Sequence, residues 1–276
     1  MVKDILVNLT GGASQDFAAD YALSLARLFG AHIAGIGFVY EPVIPGSVMG
    51  GIPSELIEAQ REENAKSARG AADRFEASAR EAQLSAEVRI LDASVAGAAD
   101  LFARAARRFD LAVVGQARPN EGASEELLIE GALFESGRPV VMVPFTQTRP
   151  ATLERVLVCW DGSRPATRAI ADALPFLGRA KAIDIIAVSG ERGKGGELAG
   201  TNMARHLSRH GLQVTLKRVS AGNADVPSAI RTQAQESGAD FMVMGGYGHS
   251  RLREFILGGV TRTVLTTTTI PVLMSH

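Results

Sequence analysis

Short apolar runs and amphipathic stretches alternate along the chain. Residues 3–9 (KDILVNL) form a strand-like run. Thr10-Gly11-Gly12-Ala13-Ser14 is turn chemistry, with Ser14 a candidate helix cap. Phe17, Tyr21, Leu25 and Leu28 recur at spacings of four, four and three, which predicts one buried helix face ended by Gly30. A second strand is predicted over 32–40, a Pro- and Gly-containing loop over 41–54, and a long, largely solvated helix over 55–83. Strands at 87–91, 111–114 and 139–144 and helices at 95–109 and 125–135 complete this half. Residues 147–152 (QTRPAT) read as a linker.

The order then starts again. A strand is predicted over 155–160, a turn at Asp161-Gly162-Ser163, and a helix over 165–177. Pro165 suits that helix's first turn, whereas Pro175 is expected to kink or end it. Strands follow at 183–188, 213–219, 241–244 and 271–274, and helices at 198–210, 226–236 and 260–266, with a flexible loop at 190–196. The two halves answer each other locally. Ile5-Leu6-Val7 matches Val156-Leu157-Val158, residues 110–115 (DLAVVG) match 240–245 (DFMVMG), and 138–142 (RPVVM) match 270–274 (IPVLM). Two tandem domains, 1–148 and 149–276, are therefore expected. Alternating strands and helices predict an α/β fold, with parallel sheets covered by helices on both faces. In such sheets ligands bind beyond the carboxyl ends of the strands, where the strand order reverses.

One stretch carries candidate chemistry. The run 240–244 leads into Gly245 to Thr261, GGYGHSRLREFILGGVT. Gly245 and Gly248 sit at the predicted strand end, and Gly258 and Gly259 precede the predicted helix. Glycines let backbone N–H groups approach an anion closely, and a helix start adds unsatisfied donors and a positive dipole end, so this arrangement suits phosphate. Glycine loops without any ligand share the same composition.

Composition narrows the classes. The chain has 276 residues, 46% of them hydrophobic, and a formal net charge of −1. No long basic run marks a nucleic-acid or anionic-membrane surface. No apolar run approaches the roughly 20 residues of a membrane span, and the start MVKDILVNLT reads as a strand, so the cytoplasm is the expected location. The single cysteine, Cys159, lies in an apolar run and reads as a buried, inert thiol. Among His32, His206, His210 and His276 no metal-ligand spacing with Cys or carboxylates is seen. A G-x-S-x-G elbow, a P-loop lysine motif and an assignable acid–base pair are all missing from the sequence.

The second half resembles the universal stress protein family in its nucleotide-binding form. That signature is Gly, two residues, Gly, nine residues, Gly, then Ser or Thr, with a first strand ending in Asp-Gly-Ser. Asp161-Gly162-Ser163, Gly245, Gly248 and Gly258 stand at these spacings. The resemblance covers nearly the whole chain, once per half, and implies five strands per domain in the order 3-2-1-4-5. It also implies a pairing of the two halves like that of a family dimer, with a homodimer of whole chains as a further option. It implies a stress-response protein that binds an adenine nucleotide (ATP, ADP or AMP, with or without magnesium) in its C-terminal domain. On that resemblance Asp161 accepts a hydrogen bond from the adenine amino group, and Val188 meets adenine through its backbone. Met244 and Gly245 lie against the ribose and first phosphate, and Gly248, Gly258, Gly259 and Val260 donate backbone N–H groups to the phosphate chain. One position departs, since the expected Ser or Thr is Gly259. A hydroxyl contact to a charged phosphate contributes about 1.5–3 kcal/mol, so the implied site is weakened but keeps its backbone donor.

The first half departs further. Thr10 stands at the place of Asp161, Arg118 at that of Gly248, Gly131 comes three residues late, and Pro119 and Gly122 reshape the loop. It reads as a degenerate copy that supports the second half. His249, Arg251, Arg253 and Arg262 flank the glycine motif as candidate phosphate partners or exposed residues, and Trp160 reads as strand packing, with a place beside the base as the alternative. Two other readings come with the resemblance. One is a slow ATPase or self-phosphorylating enzyme; the other is an interaction protein of the family's non-nucleotide branch.

Overall fold

The computed structural model describes residues 1–12, 15–42, 53–118, 124–189, 196–220, 225–246 and 259–276. The chain divides into two compact units. One holds residues 2–138 with 148–150, and the other holds 139–147 and 151–276 with Met1.

The first unit runs β1 (Asp4–Leu9), α1 (Phe17–Phe29), β2 (His32–Tyr40), α2 (Ser54–Glu81), β3 (Ala86–Ala93), α3 (Val95–Ala106), β4 (Leu111–Gly115) and α4 (Ser124–Glu135). Its strands are parallel, in the order β3-β2-β1-β4. Central β1 and β4 are continuous apolar runs because helices cover both faces, while edge strand β3 alternates exposed and half-buried residues. α1 and α2 pack together, as do α3 and α4, where Gly131 lets α4 approach the Ala99 backbone. Helix α2 buries only Ala68, Ala71, Ala72, Phe75 and Ala79, in keeping with the expected solvated helix. The cap of α1 is Asp16, which accepts from the Ala19 N–H at 3.0 Å; the expected cap, Ser14, lies outside the described residues.

The second unit contains β5 (Val140–Val143), β6 (Arg155–Cys159), α5 (Arg164–Leu177), β7 (Ala182–Ser189), α6 (Gly196–Arg209), β8 (Val214–Ser220), α7 (Val226–Ser237), β9 (Phe241–Gly245), α8 (Gly259–Thr267) and β10 (Val272–Ser275). Its strand order is β5-β10-β9-β6-β7-β8. Strands β6 to β10 thus show the 3-2-1-4-5 winding, and β5 adds to β10 in the antiparallel sense, joining the last strands of the two sequence repeats. The fifth strand of the first repeat therefore packs with the second unit, and the compact units part at a different place from the repeats. Pro175 does not end α5. It sits in the last turn, where one backbone bond is forgone, and Gly178 N–H continues the ladder to Leu174 O at 2.9 Å. The core includes Leu157, Phe176 and Phe241, and the rings of the two phenylalanines stack at 5.2 Å.

Candidate functional site at the carboxyl edge of the second sheet

β6 lies between β7 and β9, so the chain reverses its direction of winding on either side of it. The crevice of a doubly wound sheet lies at this switch point. The loop that leaves β6 here is tightly built. Asp161 Oδ1 accepts from the Ser163 N–H at 2.9 Å, and Gly162 takes φ +79°, a conformation that favours glycine. Ser163 then caps α5, its Oγ accepting from the Ala166 N–H at 3.2 Å, with Pro165 in the helix's first turn. Asp161 is exposed, and its second oxygen has no hydrogen bond among the described residues. The carboxylate is thus oriented by its own turn and keeps one oxygen for a ligand.

Gly245 ends β9 directly beneath the start of α5. A Cβ built on it would lie 2.4 Å from Ala166 N and 2.7 Å from Pro165 C, a spacing that no side chain tolerates. The glycine therefore lets the first turn of α5 close onto the strand end, which brings the Asp161 turn and the end of β9 together. Val188 comes to the same edge in β7, which is held to the β6 turn by the Trp160 N–H donating to Ile186 O at 2.9 Å. Met244 is a buried core residue of β9. Gly259 and Val260 open α8 and are both exposed, and a Cβ on Gly259 would meet nothing within 4 Å. Since α8 leads to the amino end of β10, its start belongs to the carboxyl edge. Gly248, Gly258, His249, Arg251 and Arg253 lie outside the described residues, and Arg262 is exposed on α8.

Two neighbours of the turn have plain structural roles. Burial, with the Asp161 carboxylate nearby, pushes the Cys159 thiol up to about 12, so it stays protonated at neutral pH. Trp160 is half-buried, and its indole N–H is buried without a partner among the described residues.

In the first unit the equivalent strand end is bonded to the cap of the next helix. Asp16 Oδ2 accepts from the Thr10 N–H at 2.6 Å, while its Oδ1 caps α1. Burial raises the Asp16 carboxyl above its ordinary range against these hydrogen bonds. A Cβ on Gly115 would lie 3.7 Å from Ala18 Cβ, an ordinary contact, so the helix there sits farther from the strand end than at Gly245. Pro119 and Gly122 lie outside the described residues, and Arg118 is exposed.

Sequence reasoning missed a buried charge cluster. Asp184 in β7 is 1% exposed and pairs with Arg155 Nη1 of β6 at 3.2 Å and Lys217 Nζ of β8 at 2.9 Å. Leu216 and Ala187 face α6, since a Cβ on Gly200 would touch both, so alternation turns Asp184 toward α7. A lone acid in the apolar run IDIIAV was the available signal, but only the strand register shows its partners. Among the described residues, no three His, Cys, Asp or Glu side chains gather as a metal site, and no helix is long and apolar enough to cross a membrane.

In doubly wound α/β domains small ligands bind at the switch point, where this acid turn and strand-end glycine lie. Residues 152–276 match the model of the universal stress protein family. Over its full length the fold is similar to a universal stress protein from Archaeoglobus fulgidus DSM 4304, at 22% identity and a TM-score of 0.70, covering 98% of this chain and 97% of that one. It is also similar to a functionally unknown protein from Pseudomonas aeruginosa PAO1, at 18% identity and a TM-score of 0.62, covering 99% and 92%. A third likeness is to the cytoplasmic domain of a prokaryotic cation chloride cotransporter, at 8% identity and a TM-score of 0.55, covering 100% and 96%. No curated protein matches the chain. At these identities the structural likenesses establish the fold, and function has to be argued from the site.

Proposed function

We propose that the second half binds an adenine nucleotide and that the protein acts as a nucleotide-responsive binding protein, not as an efficient enzyme. The observation that carries this reading is the pairing of Asp161 with Gly245. One is an exposed carboxylate oriented by its own turn, and the other is a strand-end glycine under α5, at the switch point of the sheet. Asp161 takes the adenine amino group. The backbones of Val188, Met244 and Gly245 line the base and ribose, and Gly248, Gly258, Gly259 and Val260 offer donors to the phosphates. The first half, 1–148, is a degenerate copy that supports the domain 149–276. Its strand-end donor at Thr10 is already taken by Asp16.

Thermal unfolding of the whole chain with ATP, ADP or AMP, with and without magnesium, tests this. A ligand at 100 times its dissociation constant adds about 2.7 kcal/mol and raises the midpoint clearly. Asp161→Ala abolishes the shift. Gly259→Ser supplies the family's hydroxyl where the structure leaves open space, and it tightens binding by about tenfold or more. Shifts that are equal in the parent and in Asp161→Ala would sink the assignment.

A further inference from the structure

We infer a second ligand site, for a first-row divalent transition metal, at the carboxyl end of α6, on His206 of its last turn and His210 just beyond it. His206 and His210 are spaced i, i+4 and both are exposed, with ring centres 4.9 Å apart and ring planes inclined by 70°. Residues at this spacing lie one above the other on a helix face. With metal–nitrogen bonds of about 2.1 Å, two imidazoles on one ion have ring centres about 4.5 Å apart at a right angle and about 5.2 Å apart at a tetrahedral angle. The observed separation falls between the two. The pair is therefore already spaced for one ion, and rotation about the soft terminal torsion of each ring aims the nitrogens.

The setting supports a cation in two further ways. Leu207 is fully buried between the two histidines in sequence, so it anchors this turn and keeps both rings on the outer surface. The helix ends here, with the His210 N–H bonded to Leu207 O at 3.0 Å and Gly211 at φ +78°, so the negative end of the helix dipole lies beside the pair. Opposing this are the cations Arg205 and Arg209 on the helix and Arg218 on the α6-facing side of β8. The protein supplies two nitrogens and water completes the shell. Imidazole ligands select nickel, copper or zinc over magnesium, with copper bound most tightly. The site lies at the amino edge of the sheet, since α6 runs back from the end of β7 to the start of β8. It is thus separate from the nucleotide crevice.

The test is a calorimetric titration of the untagged whole chain with nickel chloride at about pH 7.5. The proposal expects one nickel ion per chain and no binding of magnesium. His206→Ala and His210→Ala each weaken binding at least tenfold, while their metal-free unfolding midpoints stay at the parent's because both side chains are exposed. Asp161→Ala and His276→Ala bind nickel as the parent does. Failure of the parent to bind nickel overturns the site, as does unchanged binding by the double variant at positions 206 and 210.

Discussion

Gly245 and Gly115 hold the same place in the two repeats, but their surroundings differ. The first has α5 backbone at 2.4 Å from an added Cβ, and the second has its nearest atom at 3.7 Å. Gly245→Ala therefore forces α5 away from the strand end and costs about 1–3 kcal/mol, as overpacking does. Gly115→Ala meets only ordinary contacts and restricts the unfolded chain, so it is neutral or stabilising by up to about 1 kcal/mol. Urea unfolding of the two variants checks the contrast. Since α5 carries the Asp161 turn on its first residues, Gly245→Ala also loses the nucleotide shift, which Gly115→Ala keeps.

At the scale of elements, two acid caps respond to pH in opposite directions. Asp225 caps α7 by accepting from the Ser228 N–H at 2.8 Å, and hydrogen bonds from Ser228 hold its carboxyl below the ordinary range. Its contribution is present above the unfolded pKa and is lost as pH falls through the lower folded value. For Asp16, burial holds the folded pKa above the ordinary value, so the folded state binds the extra proton first. Stability then rises as pH falls through the window between the raised and the ordinary value. The stability difference between parent and Asp225→Ala accordingly narrows on acidification, and that between parent and Asp16→Ala widens. At neutral pH Asp16→Ala costs about 1–2 kcal/mol, because the cap is lost and the Thr10 N–H is left without its acceptor. Denaturant curves at several pH values measure both trends.

Across the second unit as a whole, Asp184 ties three strands. Removing both cations, as in Arg155→Leu with Lys217→Leu, leaves a carboxylate that is 1% exposed without a counter-charge and costs about 3–5 kcal/mol. Each single variant costs less, because one partner remains. A double-mutant cycle in urea shows the excess as a coupling between positions 155 and 217. Simple additivity of the two would mean that the cations act separately.

Much of this was legible from residue order. Continuous apolar runs such as LAVVG and FMVMG read as buried parallel strands because helices cover both faces, and the local parallels between halves announced the repeat. The turn at Asp161-Gly162-Ser163 was also readable, since φ +79°, the Asx bond and the helix cap are all satisfied within a few residues. These features depend on near neighbours along the chain, which the sequence states outright. The rest depends on register and approach between distant segments. The cap Asp16, two residues beyond the expected Ser14, is chosen by the Thr10 N–H that it must also satisfy. Pro175 is carried inside α5 because the helix is held by its packing on β9 and β10. The placement of β5 beside β10, the cluster around Asp184 and the clearance at Gly245 were settled only by tertiary structure. Strand pairing and helix approach are long-range packing choices, and no local run of residues encodes them alone.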